Sequence, residues 1–402
     1  MSDPTTEERA PKKGLVTPFN VVVAVILAVG ILVTVIRFTM GLGACTNLDN
    51  NTPWGLWIGF DVLVGVALAA GGYTLSCGYY IFGMRKLGPI VRPALLTALL
   101  GYMLVAVGLL FDIGRAWRLP YPFLMSQGWT SVMFEVAACV GAYLTVLFLE
   151  FLPPAFEWLE WRRLRNFFIA LTIPLTIGGV ILSTLHQSSL GALFIITPGK
   201  LHPLWYSPYL ALYFFISSII AGLAMVIFES ALSHRVFRSR LDPDHPFDLD
   251  ELTVGLGKAA ALVLFAYFGM KLIGLAHGNQ WALLNTGYGY WYLVELLGFI
   301  LLPCVLFSAG VKRRNAPLIR FMGFWTVLGV VLNRLNVSII AFNWELPSEL
   351  RYVPHWMEIM VTVMQPPGTS DVEEQTHGVV AFRSIVTRMP IMAEHPEFRG
   401  AH

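Results

Sequence analysis

The residues that could do chemistry here are ionisable side chains set inside apolar runs: Arg37, Asp61, Asp112, Glu135, His186, Lys271, Glu295 and Arg334, with Arg115 just past the run that ends at Asp112. A charge in hydrocarbon is costly, so such groups sit where they pair, bind or exchange protons. Carboxylates and a histidine can give and take protons, and arginine or lysine can hold the negative charge of a partner. Other chemistries have little support. The four cysteines, Cys45, Cys77, Cys139 and Cys304, form no CxxC pair, so local spacing builds neither an iron–sulfur nor a zinc cassette. Three of them lie in apolar runs. Cys45, in a polar loop, is the one with expected thiol reactivity.

The elements that must position these groups follow from composition. Only 13% of the 402 residues are charged and 56% are hydrophobic, with 12 Trp, 14 Tyr and 27 Phe. Soluble proteins carry about 25% charged residues, so a soluble enzyme, a nucleic-acid binder and a disordered chain are all excluded. A helix needs roughly 20 apolar residues to cross a bilayer. Nine segments meet this, at about 18–40, 56–83, 90–112, 128–152, 166–187, 207–232, 254–277, 288–310 and 316–341. The fold expected is all-α, a polytopic membrane bundle of nine to ten helices. Its parts are a polar tail (1–17), a six-helix part (18–232), a connector (233–253), a three-helix part (254–341) and a C-terminal region (342–402). In that last region QPPGTSDVEEQTHG breaks a tenth apolar run, so a broken or partly inserted helix is expected.

Fifteen Lys and Arg residues fall on one side of this arrangement, from Arg9, Lys12 and Lys13 to Lys312, Arg313 and Arg314. Four (Arg115, Arg118, Lys200, Arg351) fall on the other. Positive charge marks the cytoplasmic side, so the N-terminus is expected there, in a bacterial inner membrane. The opposite loops are rich in Trp, Tyr, Pro, Asn and Gly, which suits either interfacial anchoring or a docked protein. On this topology Asp61, Asp112, Glu135, His186, Lys271, Glu295 and Arg334 all lie toward the outer face, with His186 at the outer end of the fifth span. Glu150 and Glu229 read as anchors at the inner interface.

One-sided clustering of acids, His, Lys and Arg fits proton exchange with a lipid-soluble molecule whose oxygens need donors when reduced, and quinones are such molecules. Haem is not expected, because only His186 and His277 lie in spans and both sit at outer ends. A chain with neither haem nor cluster needs a partner to carry electrons.

Several stretches carry a family resemblance. RFTMGLGACTNLDNNTPWGLWIGFDVLVGVALAAGGYTLS (37–76), LLFDIGRAWR (109–118), SVMFEVA (131–137), LSTLHQSSLGALFIITPGKLHPLWYSPYL (182–210) and FFISSIIAGLAMVIFES (214–230) resemble the NrfD/PsrC-like membrane subunits. The HybB-type branch and the equivalent subunit of the high-molecular-weight cytochrome c complex of sulfate reducers are equally similar. The resemblance implies a bound menaquinone near the periplasmic face. It also implies a periplasmic-side iron–sulfur ferredoxin-like subunit and, beyond it, multihaem cytochrome c or hydrogenase subunits. Arg37, Asp61, Asp112, Arg115, Glu135 and His186 fall in the matching blocks. His186, Asp112, Arg115 and Asp61 are the quinone-binding candidates, and Glu135, Glu295, Lys271, Arg334 and Arg37 the proton-relay candidates. Two features depart from the pattern: Ala116 stands where proline is common, and the tenth helix is interrupted. Proton translocation and a purely structural anchor are the competing functions; a solute transporter is a more distant one.

Overall fold

The computed structural model describes residues 18–236 and 249–364. Among them are nine helices long and apolar enough to cross a membrane: α1 (Asn20–Met40), α2 (Trp57–Ile81), α3 (Arg85–Asp112), α4 (Val132–Trp158), α5 (Thr172–Ile195), α6 (Leu210–Leu232), α7 (Leu249–His277), α8 (Gly287–Lys312) and α9 (Ala316–Ile340). A short helix, α10 (Trp356–Met364), follows. The all-α membrane-bundle expectation holds among the described residues. The tenth element is short over the part described. The segment QPPGTSDVEEQTHG and the run holding Arg383 and Arg388 lie outside the described residues, as do the N-terminal tail and most of the 233–253 connector.

Consecutive spans alternate in direction. One end of the bundle, here the aromatic end, gathers the loops 41–56, 113–131, 196–209, 278–286 and 341–355. The other, the basic end, gathers the turns rich in Arg and Lys. Outward faces stay apolar: Ile31, Leu32, Leu262 and Phe265 are 59–69% exposed, as expected where lipid rather than water is the solvent. The interior is held by aromatic side chains such as Tyr102, Tyr143, Phe194, Phe214 and Phe307. Small residues let backbones approach. A Cβ on Gly222 of α6 would come within 2.7 Å of the Gly71 backbone nitrogen of α2. At the aromatic end the loops are knitted together: His202 N donates to Ala341 O at 2.9 Å, and Asn343 Nδ2 to Asn51 O at 2.8 Å.

The fifth span differs from its expected bounds of 166–187. Residues Arg162–Ala170 form a separate amphipathic helix, with three arginines at its start, and the span itself runs from Thr172 to Ile195. By apolarity alone the polar and small residues of HQSSLGA look like the end of the span. Packed inside the bundle they continue the helix until the TPGK turn. His186 is therefore not at the end of the span. It lies nine residues before Ile195, about 13 Å from that end at 1.5 Å per residue.

Among the described residues four stretches are π-helical: Trp57–Val62, Cys77–Ile81, Val294–Leu301 and Asn336–Ile340. Each widens its helix by one residue, a device frequent at functional sites. Asp61, Glu295 and Asn336 all sit on such stretches.

Candidate functional site

Among the described residues, three polar groups hold most of the candidate side chains. The first closes the aromatic end of α1, α2 and α3. Arg37 is 2% exposed. Its Nε donates to Phe111 O at 2.7 Å and its Nη2 to Ile113 O at 2.7 Å, so the cation caps the carbonyl end of α3. Asp112, the last residue of α3, lies in the electrostatic reach of Arg37, Asp61 and Glu358. Its Oδ1 is buried without a hydrogen-bond partner among the described residues. Asp61 Oδ2 accepts from Thr362 Oγ1 at 3.0 Å. Glu358 of α10 is 1% exposed and accepts from the backbone nitrogens of Asn47 and His355 and from the Tyr352 hydroxyl. Tyr352 accepts in turn from Leu56 N at 2.8 Å. Burial and the adjoining Glu358 carboxylate push the Tyr352 phenol well up from its usual range. One cation and three carboxylates thus converge in one cluster.

Cys45 abuts this cluster and corrects an expectation. It is fully buried, and burial pushes its thiol up against a smaller opposing effect of Arg37. A buried, protonated thiol is a packing group, not a reactive one.

The second group lies at mid-depth between α3, α4 and α5. The Tyr102 hydroxyl is 2.5 Å from His186 Nε2, and His186 Nδ1 is 2.9 Å from Leu182 O. The carbonyl can only accept, so Nδ1 carries the proton and Nε2 accepts from the phenol. The Tyr143 ring packs on both partners, 4.8 Å from Tyr102 and 5.5 Å from His186. On the same two helices Ser189 donates to Glu135 at 2.5 Å, nearer the aromatic end, and Thr176 to Glu150 at 2.7 Å, nearer the basic end.

The third group sits between α6, α7, α8 and α9. Glu295 is 2% exposed and accepts from Trp205 Nε1 at 2.8 Å, Asn333 Nδ2 at 2.6 Å and Asn336 Nδ2 at 2.5 Å. Arg334 donates to Asn333 Oδ1, Ser217 Oγ and Phe214 O, and lies 3.8 Å over the Phe214 ring. Asn333 therefore bridges the carboxylate and the guanidinium. Lys271 places its ammonium 4.9 Å and 5.6 Å from the rings of Tyr213 and Tyr267, a cation–π arrangement.

So the structure joins Arg37, Asp61 and Asp112, joins Glu295 with Arg334 near Lys271, and holds His186 and Glu135 elsewhere. Arg115 lies on the exposed turn past α3 and makes no side-chain hydrogen bond among the described residues. Sequence reasoning missed Tyr102, Tyr352, Glu358 and Thr362. The first looks like any aromatic in an apolar run. The others follow the last long span, where only the pattern YxxxxxE in a short apolar stretch hinted at them.

The arrangement and the sequence blocks agree with a match to a family model. Residues 44–343 match the polysulphide reductase NrfD family. The chain belongs to the NrfD family. It is 52% identical over 390 residues to a protein of Nitratidesulfovibrio vulgaris, covering 97% of this chain and 98% of that one. It is 33% identical over 350 residues to a probable Ni/Fe-hydrogenase 2 b-type cytochrome subunit of Escherichia coli, covering 84% and 85%. It is 26% identical over 362 residues to the integral membrane subunit of a menaquinone reductase of N. vulgaris, covering 81% of each. In this NrfD-family chain, Asp61, Asp112, His186, Glu295 and Arg334 lie within the matched stretch. Arg37 precedes it, and Tyr352, Glu358 and Thr362 follow it.

Proposed function

We propose that this NrfD-family chain is the quinone-interacting subunit of a respiratory oxidoreductase in the bacterial inner membrane. Its substrate is menaquinone or menaquinol, bound at the aromatic end. The bias of basic residues makes that end periplasmic and the N-terminus cytoplasmic. One observation carries the reading: Arg37, Asp61 and Asp112 converge beside lipid-exposed helices, and Asp112 Oδ1 is buried without a partner. Reduction of a quinone takes up two electrons and two protons, and oxidation of the quinol releases them. Asp61 and Asp112 give or take the protons at the head-group oxygens, while Arg37 keeps the acidic cluster from excess negative charge. Electrons pass through a periplasmic-side iron–sulfur ferredoxin-like subunit, and beyond it to multihaem cytochrome c or hydrogenase subunits. The exposed side chains Trp117, Leu124, Met125 and Trp129, each at least 70% exposed, offer that subunit a surface. The relatives named for a menaquinone reductase and a hydrogenase support this assignment.

The test is Asp112→Asn and Asp61→Asn in the intact complex. Quinol-coupled electron transfer falls by about 10² or more, the typical contribution of a positioned acid–base group, while the subunits still copurify. Wild-type turnover in both variants refutes the reading.

A second reading, proton translocation, is favoured by the Glu135–Ser189, His186–Tyr102 and Glu150–Thr176 contacts. They form three polar steps along α4 and α5, with the two glutamates about 22 Å apart on one helix. Charge movement in proteoliposomes during the same turnover measurement separates the two readings.

A further inference from the structure

α10 enters the bundle from the aromatic end and lies against α1. The contact is close: a Cβ on Gly30 would come within 2.7 Å of Met364 Cβ and Cγ. Glycine at this position of α1 leaves room for the Met364 side chain of α10. Three hydrogen bonds then connect α10 and the loop before it to the start of α2. Leu56 N donates to the Tyr352 hydroxyl at 2.8 Å, Trp57 Nε1 to Glu358 O at 3.3 Å, and Thr362 Oγ1 to Asp61 Oδ2 at 3.0 Å, while Tyr352 and Glu358 are joined to each other within the C-terminal segment. The last is the one side-chain hydrogen bond to the Asp61 carboxyl among the described residues. Asp61 itself lies on the π-helical stretch Trp57–Val62, a widened turn of the kind frequent at functional sites. A carboxylate has two oxygens and can rotate about χ2. A single donor on one oxygen selects one orientation and leaves Oδ1 for another partner.

We propose that Thr362 is a positioning residue for Asp61. The C-terminal segment folds back to aim Oδ1 of this carboxyl into the site, although it lies beyond the stretch that matches the family. The role of Asp61 in quinone chemistry rests on the reading above; the positioning does not. α10 is thus a part of the site delivered from the far end of the chain. The glycine contact sets its depth, Glu358 and Tyr352 set its start, and Thr362 makes the contact that matters for chemistry.

The experiment uses the intact complex with Thr362→Val, which keeps the shape and removes the hydroxyl, and Thr362→Ser, which restores it. Infrared difference spectra between low and high pH report the protonated Asp61 carboxyl as the band lost in Asp61→Asn. In Thr362→Val that band moves to higher frequency, because its oxygen has lost a donor, and in Thr362→Ser it returns. Gly30→Leu, which wedges α10 away from α1, gives the same shift as Thr362→Val by a different route. Quinol turnover in Thr362→Val drops about tenfold, the size expected for one hydrogen bond to a charged group, and Thr362→Ser recovers it. An Asp61 band that stays in place in Thr362→Val, or no band lost in Asp61→Asn, overturns the proposal. A shifted band with unchanged turnover in both Thr362→Val and Asp61→Asn upholds the positioning and refutes the catalytic reading of Asp61 instead.

Discussion

The Tyr102 phenol and the His186 imidazole meet at 2.5 Å in the middle of the bundle, on helices whose contact the sequence separates by 84 residues. The imidazole is fully buried. Its Nδ1 hydrogen bond to Leu182 O orients the ring, and Nε2 accepts a hydrogen bond from the Tyr102 hydroxyl. This geometry makes His186 an interior partner of Tyr102, away from the Arg37 cluster.

His186→Phe is therefore expected to act on stability first. It strands the Tyr102 hydroxyl in an apolar interior, and an unsatisfied buried donor costs roughly 1–3 kcal/mol. Thermal unfolding of the purified complex measures this. Tyr102→Phe with His186→Phe together removes both partners, so the double variant is expected to melt above His186→Phe alone. A double variant melting well below the single one contradicts the pairing.

Glu295 gathers three neutral donors from α9 and the loop before α6. Glu295→Leu leaves Trp205, Asn333 and Asn336 each without an acceptor, and Arg334 keeps its buried charge without the bridged carboxylate. The cost expected is about 3–5 kcal/mol, the range for breaking a buried charged arrangement. It is read as loss of the folded protein from membranes. Glu295→Gln keeps one acceptor oxygen and the volume, so it is expected to accumulate at a level between wild type and Glu295→Leu. Equal accumulation of all three proteins removes Glu295 from the structural account.

His202 supplies a pH dependence at the aromatic end. Burial lowers its imidazole to about 4. Its ring packs tilted against Tyr288 at 4.7 Å and edge-on against Trp344 at 4.8 Å, and its Nδ1 accepts from Leu204 N at 3.2 Å. The unfolded chain takes up this proton near pH 6.5 and the folded one only near 4, so lower pH favours the unfolded state. The stabilisation is complete above about pH 6.5 and is lost as pH falls toward 4. Melting temperature is expected to rise with pH across that window in wild type and to rise less steeply in His202→Gln. An unchanged slope in the variant assigns the acid sensitivity to other groups.

Nine apolar spans and the difference between their two ends are legible in the sequence, though the fifth span begins and ends later than apolarity suggests. The run of Val, Ile and Leu from Val21 to Val35 can only lie in lipid or a core, and the Arg and Lys clusters at 85–92, 162–165 and 312–314 mark one end. These are local facts, read from composition over about twenty residues. The sequence also placed Asp61, Asp112, Glu295 and Arg334 in the half of the bundle where they are found. His186 lies deeper than apolarity suggests, because HQSSLGA resembles a polar loop until its packing partners surround it. Tertiary structure alone decided which groups meet. Thr362 reaches Asp61 across 301 residues, and Asn336 reaches Glu295 across 41. Side chains at those separations become neighbours only through helix packing, where glycines such as Gly30 and Gly222 set the distances of approach. The π-helical turns at Asp61 and Glu295 are likewise invisible in sequence, since they answer to the packing around them more than to local propensity. Burying a polar group is tolerable only when a partner arrives with it, and the partner's identity is a property of the folded bundle.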